Sequence, residues 1–178
     1  STMDGTSTVE SYGDHANAIL LQSVGGGGDN AGGDSNAPPG DDAAVVAAPD
    51  GRVVATTDML VEGRHFRLDW SSPEDVGRKA IAQNGADIAA MGAQPTGYLV
   101  GLACPPSTGV DVIDGLVDGL WREAEATGAG IVGGDLVSAD RIVLSVSALG
   151  DLGNRAPVLL SGARVGDVVA VCGRLGHS

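Results

Sequence analysis

From residue 41 onward the chain alternates strand-like segments with helix-like ones, and this alternation limits the fold more than any other feature of the sequence. Two segments, 73–91 and 110–127, carry apolar residues at helical spacing. The shorter apolar segments predict strands at 43–48, 52–57, 96–104, 130–132, 141–149 and 168–172. The pattern predicts an α/β (α+β) domain, a mixed sheet with helices on one face.

Local signals mark the ends of these elements. Ser72 followed by Pro73 and two acidic residues is typical of a capped helix start. We expect that helix to end at about Met91, before Gly92, and the second helix to end at Gly128. Between the first two strands, residues 49–51 predict a hairpin-like turn.

The chain divides into three parts of different composition. Residues 1–40 are polar and include the glycine-rich stretch 25–36, for which we expect a mobile loop. No Lys-Ser or Lys-Thr follows that stretch and no strand precedes it, so it matches neither a P-loop nor a dinucleotide-binding motif. Residues 41–153 predict the main domain. Residues 154–178 read as a linker and the first strand of a second domain that is cut short.

Charge and cysteine content exclude several classes of function. The formal net charge of −13 argues against nucleic acid or an anionic membrane as the main partner. Cys104 and Cys172 lie far apart, which predicts a reducing compartment without a disulfide framework. No apolar run approaches transmembrane length and no signal peptide is recognisable, so we expect a cytoplasmic protein.

Acidic and hydroxyl residues recur at the edges of apolar segments, where tertiary structure can gather them. Hydroxyl and carboxylate oxygens suit hard cations, and Mg²⁺ often links carboxylates to the phosphates of a substrate. We therefore expect a magnesium–nucleotide site, while ordinary solvated turn carboxylates are the alternative. The residues are Asp42, Thr56, Thr57, Asp58, Asp87 and Asp135, the last one preceded by the pair Gly133 and Gly134.

On the first helix, Asn84 falls on the apolar stripe and Asp87 lies beside it. A polar pair that borders a buried face needs hydrogen-bond partners. A capping or interhelical hydrogen bond and a ligand role in a shared site both remain open for this pair.

Five motifs, in order and in register, resemble thiamine-monophosphate kinase. They are PGDDAAVV (39–46), TTDMLVEGRHF (56–66), KAIAQNGADIAAMGAQP (79–95), IVGGDLVSA (131–139) and LSGARVGD (160–167). That family is grouped with aminoimidazole ribonucleotide synthetase, selenophosphate synthetase and the hydrogenase-maturation dehydratase. The TTD and GRHF motifs resemble the kinase branch.

The resemblance assigns roles to particular residues. It implies that the six acidic and hydroxyl residues named above hold several Mg²⁺ ions around the phosphates of ATP. Gly134 and Asp135 match a nucleotide-contacting turn, and His65 matches a position that touches thiamine phosphate. Leu160 stands where many relatives carry an arginine that reaches ATP, which places one nucleotide contact in doubt.

The resemblance also implies an architecture and a reaction. The N-terminal domain is expected to pair its sheet with that of a second subunit to close a barrel, which makes a homodimer. The reaction would convert ATP and thiamine phosphate to ADP and thiamine diphosphate. Without the C-terminal domain, we expect weak or absent turnover. A non-catalytic nucleotide-binding dimerisation module and a superfamily relative that acts on another small molecule are the alternatives.

Overall fold

A computed structural model describes residues 46–171 of the 178-residue chain. Four strands and two long helices form the domain. In chain order they are β1 (Val54–Val61), α1 (Pro73–Ala90), β2 (Gln94–Cys104), α2 (Val110–Thr127), β3 (Gly130–Ser138) and β4 (Val143–Asp151), followed by a 3-10 turn at Leu160–Gly162.

The strands form one mixed sheet in the order β1-β4-β2-β3. β4 is antiparallel to both β1 and β2, whereas β2 and β3 run parallel. The parallel pair is joined by α2, as a parallel connection requires a crossover. β1 and β3 are the two edge strands of this sheet, and the candidate residues within the described part of the chain lie on them or beside them.

The two helices pack against each other and against one face of the sheet. α1 contacts β1, β4 and β2, whereas α2 contacts β3. A Cβ atom built on Gly77 of α1 would lie 2.1 Å from the backbone oxygen of Leu116 in α2. Glycine at this position therefore permits the close approach of the two helix backbones.

The core lies between this helical layer and the sheet. β4 shows the pattern most clearly, since Leu144, Val146 and Ala148 are buried at alternate positions. The opposite face of the sheet is open, and it carries Met59 and Leu99, which are 53% and 41% exposed. Burial therefore confirms the prediction of a mixed sheet with helices on one face.

The predicted helix ends are confirmed. Ser72 caps α1 with a capping box that includes Asp75, and Met91 is the C-terminal cap, one residue beyond the helix. Gly128 ends α2 in the left-handed conformation, at φ 79°. Neither helix of the described part combines the length and apolar character that a membrane crossing would need.

Three strand predictions need correction. In the predicted segment 43–48, residues 46–48 belong to no strand, and the rest lies outside the described residues. The turn at 49–51 forms, because the Gly51 amide donates to the Ala48 carbonyl, but β1 starts only at Val54. Residues 168–171 also form no strand, since they have no neighbouring strand to pair with; Cys172 lies outside the described part. Within residues 46–171 the order is therefore β-α-β-α-β-β, with no strand at 46–48 or at 168–171.

Candidate functional site

A hydrogen bond joins two of the predicted ligand residues across two elements. The Thr56 hydroxyl on β1 donates to Oδ2 of Asp87 on α1, with an oxygen-to-oxygen distance of 3.0 Å. Asp58 lies two residues further along β1, so its side chain points to the same face of the strand as that of Thr56. Thr56 and Asp58 are partly buried, whereas Asp87 is exposed. The fold therefore places Thr56, Asp58 and Asp87 close together on the helix side of β1.

Thr57 points to the other face of the sheet. Its hydroxyl donates to the Val146 carbonyl at 3.1 Å and accepts a bond from the Ser147 hydroxyl at 3.0 Å. Because side chains alternate along a strand, Thr57 cannot present its hydroxyl beside those of its neighbours on the helix side. Thr57 therefore does not belong to the hydroxyl–carboxylate group on the helix side of β1.

A cavity of about 680 Å³ opens beside the Thr56–Asp87 pair. Its walls come from the start of β1, the end of α1 and the segment after β4. They include Val54, Ala90, Met91, Leu152 and Pro157, with Arg52, Thr56 and Asp87 as polar members. Mostly apolar walls with a few polar groups are typical of small-molecule sites.

Of the two roles left open for Asn84, the structure shows a hydrogen bond, and its partner lies within the same helix. Asn84 is fully buried, and its Nδ2 donates to the Ala80 carbonyl of the same helix at 2.8 Å. Its Oδ1 is buried and has no hydrogen-bond partner within the described residues. Asn84 therefore faces the core between helix and sheet, whereas Asp87 faces β1.

Gly133, Gly134 and Asp135 lie inside β3, so the turn that the resemblance implies for Gly134 and Asp135 is not formed. The register between β2 and β3 shifts by one residue after Tyr98, which leaves Val132 as the extra residue of a β-bulge. A Cβ atom on Gly134 would lie 2.2 Å from the Val100 carbonyl oxygen. Glycine is required there because the neighbouring strand comes so close.

Asp135 is exposed and its Oδ1 accepts a bond from the Leu136 amide at 2.9 Å. Asp135 pairs with Gly101, which in turn pairs with Ser145 on the open face of the sheet. Since β3 and β1 are separated by β4 and β2, the two edges lie about 14 Å apart. One chain thus carries two separate groups of candidate residues, on opposite edges and opposite faces. Asp42 lies outside the described residues.

His65 lies in the loop that follows β1, close to the first group in sequence. Its backbone amide donates to the Val61 carbonyl at 2.9 Å, and its ring Nδ1 accepts a bond from the Val61 amide at 3.0 Å. Lys79, the single lysine of the chain, donates from Nζ to the His65 carbonyl at 2.8 Å. The sequence did not predict this contact, because no local sequence pattern indicates a hydrogen bond between residues that lie 14 positions apart.

The first group offers donors of the type that Mg²⁺ prefers. Thr56, Asp58 and Asp87 supply one hydroxyl and two carboxylates, and oxygen ligands of this kind suit a hard cation. Within residues 46–171, no cluster of three or more His, Cys, Asp or Glu side chains has the arrangement of a metal site. These residues therefore fit as a partial ligand set, which leaves positions for phosphate oxygens and water.

Two pKa shifts separate structural from reactive groups. Burial raises the pKa of the Cys104 thiol, which keeps it protonated and unsuited to act as a nucleophile. Bonds from the Ser72 hydroxyl and amide lower the pKa of Asp75, whose carboxylate completes the α1 cap. Both groups therefore serve the fold and not the candidate site.

Curated relatives match the middle of the chain. Thiamine-monophosphate kinase of Mycobacterium tuberculosis (strain ATCC 25618 / H37Rv) is 63% identical over 132 residues, which are 74% of this chain and 40% of the relative. The kinase of the same name from Corynebacterium glutamicum is 48% identical over 133 residues, 74% of this chain and 40% of the relative. The chain thus spans about two fifths of the length of these curated relatives.

Solved structures show the same fold. Thiamine monophosphate kinase from Aquifex aeolicus matches with a TM-score of 0.62 at 34% identity, over 67% of this chain and 39% of that one. AaThiL complexed with AMPPCP and TMP matches with a TM-score of 0.54 at 35% identity, over 55% and 31%. A hydrogenase maturation protein, HypE, shares the fold at 20% identity, with a TM-score of 0.56 over 66% and 36%.

The family comparison agrees with these relatives. The model of the AIR synthase related protein N-terminal domain matches residues 40–152, which include all four strands and both helices. The resemblance inferred from the five motifs is confirmed. The chain belongs to the family of AIR synthase related proteins, and it carries the N-terminal domain of that family.

Proposed function

We propose that the chain is the N-terminal part of a thiamine-phosphate kinase, which transfers a phosphoryl group from ATP to thiamine phosphate and so forms thiamine diphosphate. The relatives at 63% and 48% identity carry the name of this enzyme, and AaThiL forms a complex with AMPPCP and TMP. The chain covers 40% of those relatives, so it would supply one part of the enzyme that has this activity.

The observation that carries the proposal is the 3.0 Å contact between Thr56 and Asp87. It brings a β1 hydroxyl to an α1 carboxylate on the face that also carries Asp58. A purely structural role for this pair would not require a second carboxylate on the same face, or an open cavity beside it. In this proposal Asp42 also belongs to the metal site, as the motifs imply, whereas Thr57 would take part only from the open face of the sheet.

The chemistry asks the protein mainly to hold two anions together. The attacking phosphate oxygen of thiamine phosphate is already ionised near neutral pH, so no strong general base is needed. Two unit charges at ~4 Å repel by about 4 kcal/mol at an effective dielectric of 20. Mg²⁺ ions, when bound, neutralise this repulsion and bridge the phosphates. Thr56, Asp58 and Asp87 would hold those ions, while His65 would bind the acceptor phosphate.

Gly134 and Asp135 are proposed to contact ATP from β3. Asp135 lies on the opposite edge of the sheet from β1 and on the opposite face from Thr56 and Asp58, so the sheet of one chain stands between the two groups. Both groups do lie on edge strands, and closing a barrel with a second sheet removes both edges. A homodimer of this kind would bring edge residues of two copies to shared boundaries.

The open face of the sheet supports the same homodimer. Met59, Leu99 and Val137 are exposed there at 53%, 41% and 49%. An antiparallel or mixed sheet that is covered on one side only needs a second layer when its other face is apolar. A second copy of the chain would supply that layer. Cytoplasmic localisation remains a proposal, supported by the free, buried thiol of Cys104.

Calorimetric titration with AMPPCP, with and without Mg²⁺, tests the site. We expect Mg²⁺-dependent binding, and a loss of about tenfold or more for Asp87→Asn, because the substitution removes a charged metal ligand. Asp140→Asn is the matched control, since Asp140 is an exposed carboxylate in the β3–β4 loop and leaves the candidate group intact. Equal binding by Asp87→Asn and the unsubstituted chain would remove Asp87 from the site.

Turnover then separates enzyme from binding module. Thiamine diphosphate formed from ATP and thiamine phosphate supports the kinase proposal directly. Mg²⁺-dependent AMPPCP binding without thiamine phosphate binding would instead favour a nucleotide-binding module.

A further inference from the structure

Every polar group of His65 except one is engaged by the protein. The backbone amide donates to the Val61 carbonyl at 2.9 Å, and the carbonyl accepts from Lys79 Nζ at 2.8 Å. Ring Nδ1 accepts from the Val61 amide at 3.0 Å. Ring Nε2 takes part in none of these contacts, and the side chain is exposed.

These contacts fix the tautomer of the imidazole. A neutral histidine has one ring nitrogen that donates and one that accepts. Because Nδ1 accepts from the Val61 amide, the proton resides on Nε2. The ring therefore presents an N–H donor to solvent, the group that a phosphate oxygen requires.

Lys79 holds this arrangement from a different element. It lies on α1, whereas the loop that contains His65 follows β1. Two other cations near the loop are used in ion pairs: Arg67 contacts Asp69, and Arg78 contacts Glu123 on α2. Lys79 differs because its ammonium group donates a hydrogen bond to a backbone carbonyl of the loop.

We propose that Lys79 is a positioning residue, which anchors the His65 loop to α1 so that the imidazole offers Nε2–H to the phosphate of the acceptor. The inference rests on the proposed function, in which His65 binds thiamine phosphate. Lys79 acts through the His65 carbonyl. The Val61 amide then selects the tautomer.

Nuclear magnetic resonance of the 178-residue chain labelled with ¹⁵N-histidine tests this directly. The His65 signals are assigned as those lost in His65→Gln, which separates them from His15 and His177. We expect one tautomer, protonated at Nε2, in the unsubstituted chain. Lys79→Met should give a mixture of both tautomers, because the loop loses its bond to α1 and only its contacts with Val61 then orient the ring. Lys79→Arg keeps a donor and should restore the single tautomer.

Arg78→Met is the matched control, since it removes the same charge one residue away without touching the loop. It should leave the His65 signals unchanged. A single Nε2-protonated tautomer in a folded Lys79→Met variant, verified by an unchanged thermal melt, would overturn the inference.

Binding separates this inference from the proposed function. We expect Lys79→Met to weaken thiamine phosphate binding about five- to tenfold and to leave Mg²⁺–AMPPCP binding unchanged, as a misdirected hydrogen-bond donor would. If the unsubstituted chain fails to bind thiamine phosphate while the tautomer still depends on Lys79, the proposed function falls and the positioning role stands. If thiamine phosphate binds equally well to Lys79→Met, the positioning role falls.

Discussion

The two edges of the sheet carry candidate residues of the same chemical type in opposite structural settings. At the β1 edge, Thr56 and Asp87 come from different elements and meet through a side-chain hydrogen bond. At the β3 edge, Gly134 and Asp135 sit within one strand, and packing of backbone against backbone decides their geometry. The first arrangement depends on how α1 lies on the sheet, and the second on a bulge between two strands.

The comparison shows that a short motif can be positioned either by a side-chain contact between elements or by close packing of backbones. A side-chain contact between elements tolerates substitution at a modest cost, because an exposed hydrogen bond contributes little to stability. A glycine pressed against a neighbouring carbonyl tolerates almost none. Substitutions at the two edges should therefore change the free energy of unfolding by different amounts and disturb different kinds of contact.

The largest effect is expected at the β3 edge. Gly134→Ala should lower the free energy of unfolding by about 3 kcal/mol, because its Cβ atom would lie 2.2 Å from the Val100 oxygen and the strands must separate. Urea denaturation measures the change. Gly101→Ala is the control on the adjacent strand, since its Cβ atom would meet its nearest neighbour at an ordinary 3.7 Å. Equal stability of the two variants would contradict the role of close packing at this edge.

The next largest effect is expected for a substitution at Leu99, on the open face of the sheet that also carries Asp135. In the proposed homodimer, Leu99→Asp buries a charge at the interface and should raise the dimer dissociation constant about 30-fold, roughly 2 kcal/mol. Sedimentation equilibrium measures this constant. Val110→Asp introduces the same change at an exposed valine on α2, outside that face, and should leave dimerisation intact. A compact monomer for the unsubstituted chain would defeat the homodimer proposal.

A smaller effect is expected at the start of α1, the helix that carries Asp87. Ser72→Ala removes the N-terminal cap and should lower the free energy of unfolding by about 1 kcal/mol at pH 7. Ser71→Ala, one residue earlier, is the control.

The pH dependence of this cap follows from the lowered pKa of Asp75. A carboxyl group with a lowered folded-state pKa stabilises the fold above its unfolded value of about 3.9, and this contribution is lost as pH falls through the folded-state pKa. The difference between the unsubstituted chain and Ser72→Ala should therefore shrink below about pH 4. An unchanged difference in acid would exclude Asp75 from the cap.

The smallest effect is expected for the Thr56–Asp87 contact itself. A double-mutant cycle with Thr56→Val and Asp87→Ala, which removes the acceptor, should give a coupling of about 0.5–1 kcal/mol in urea denaturation, because the bond is exposed. Strictly additive effects would show that the two side chains do not interact. The contrast with Gly134→Ala is then the direct measure of how differently the two edges are built.

Local sequence signals were sufficient for the helices. Ser72, Pro73 and Gly128 mark helix ends that depend on the hydrogen bonds of one turn, so their positions follow from neighbouring residues alone. The same local reasoning failed for residues 46–48 and 168–171 of the predicted strands, because a strand needs a partner that the segment itself does not specify.

Part of the candidate site was also readable from the sequence. The motifs named the residue types and their order, and the family comparison confirms the resemblance. The contact between Thr56 and Asp87, and the anchoring of His65 by Lys79, join residues that lie 31 and 14 positions apart. No periodicity or spacing rule predicts such contacts.

The amino-acid sequence alone was enough for the types of element and residue: two capped helices, a sheet with apolar segments, and acidic and hydroxyl residues near the ends of apolar segments. Only the tertiary structure decided that Thr56 and Asp58 share the helix side of β1, that Thr57 turns away, and that Asp135 occupies the far edge. The reason is physical. Strand order and register depend on pairing between distant segments, and the face on which each side chain lies follows from that pairing.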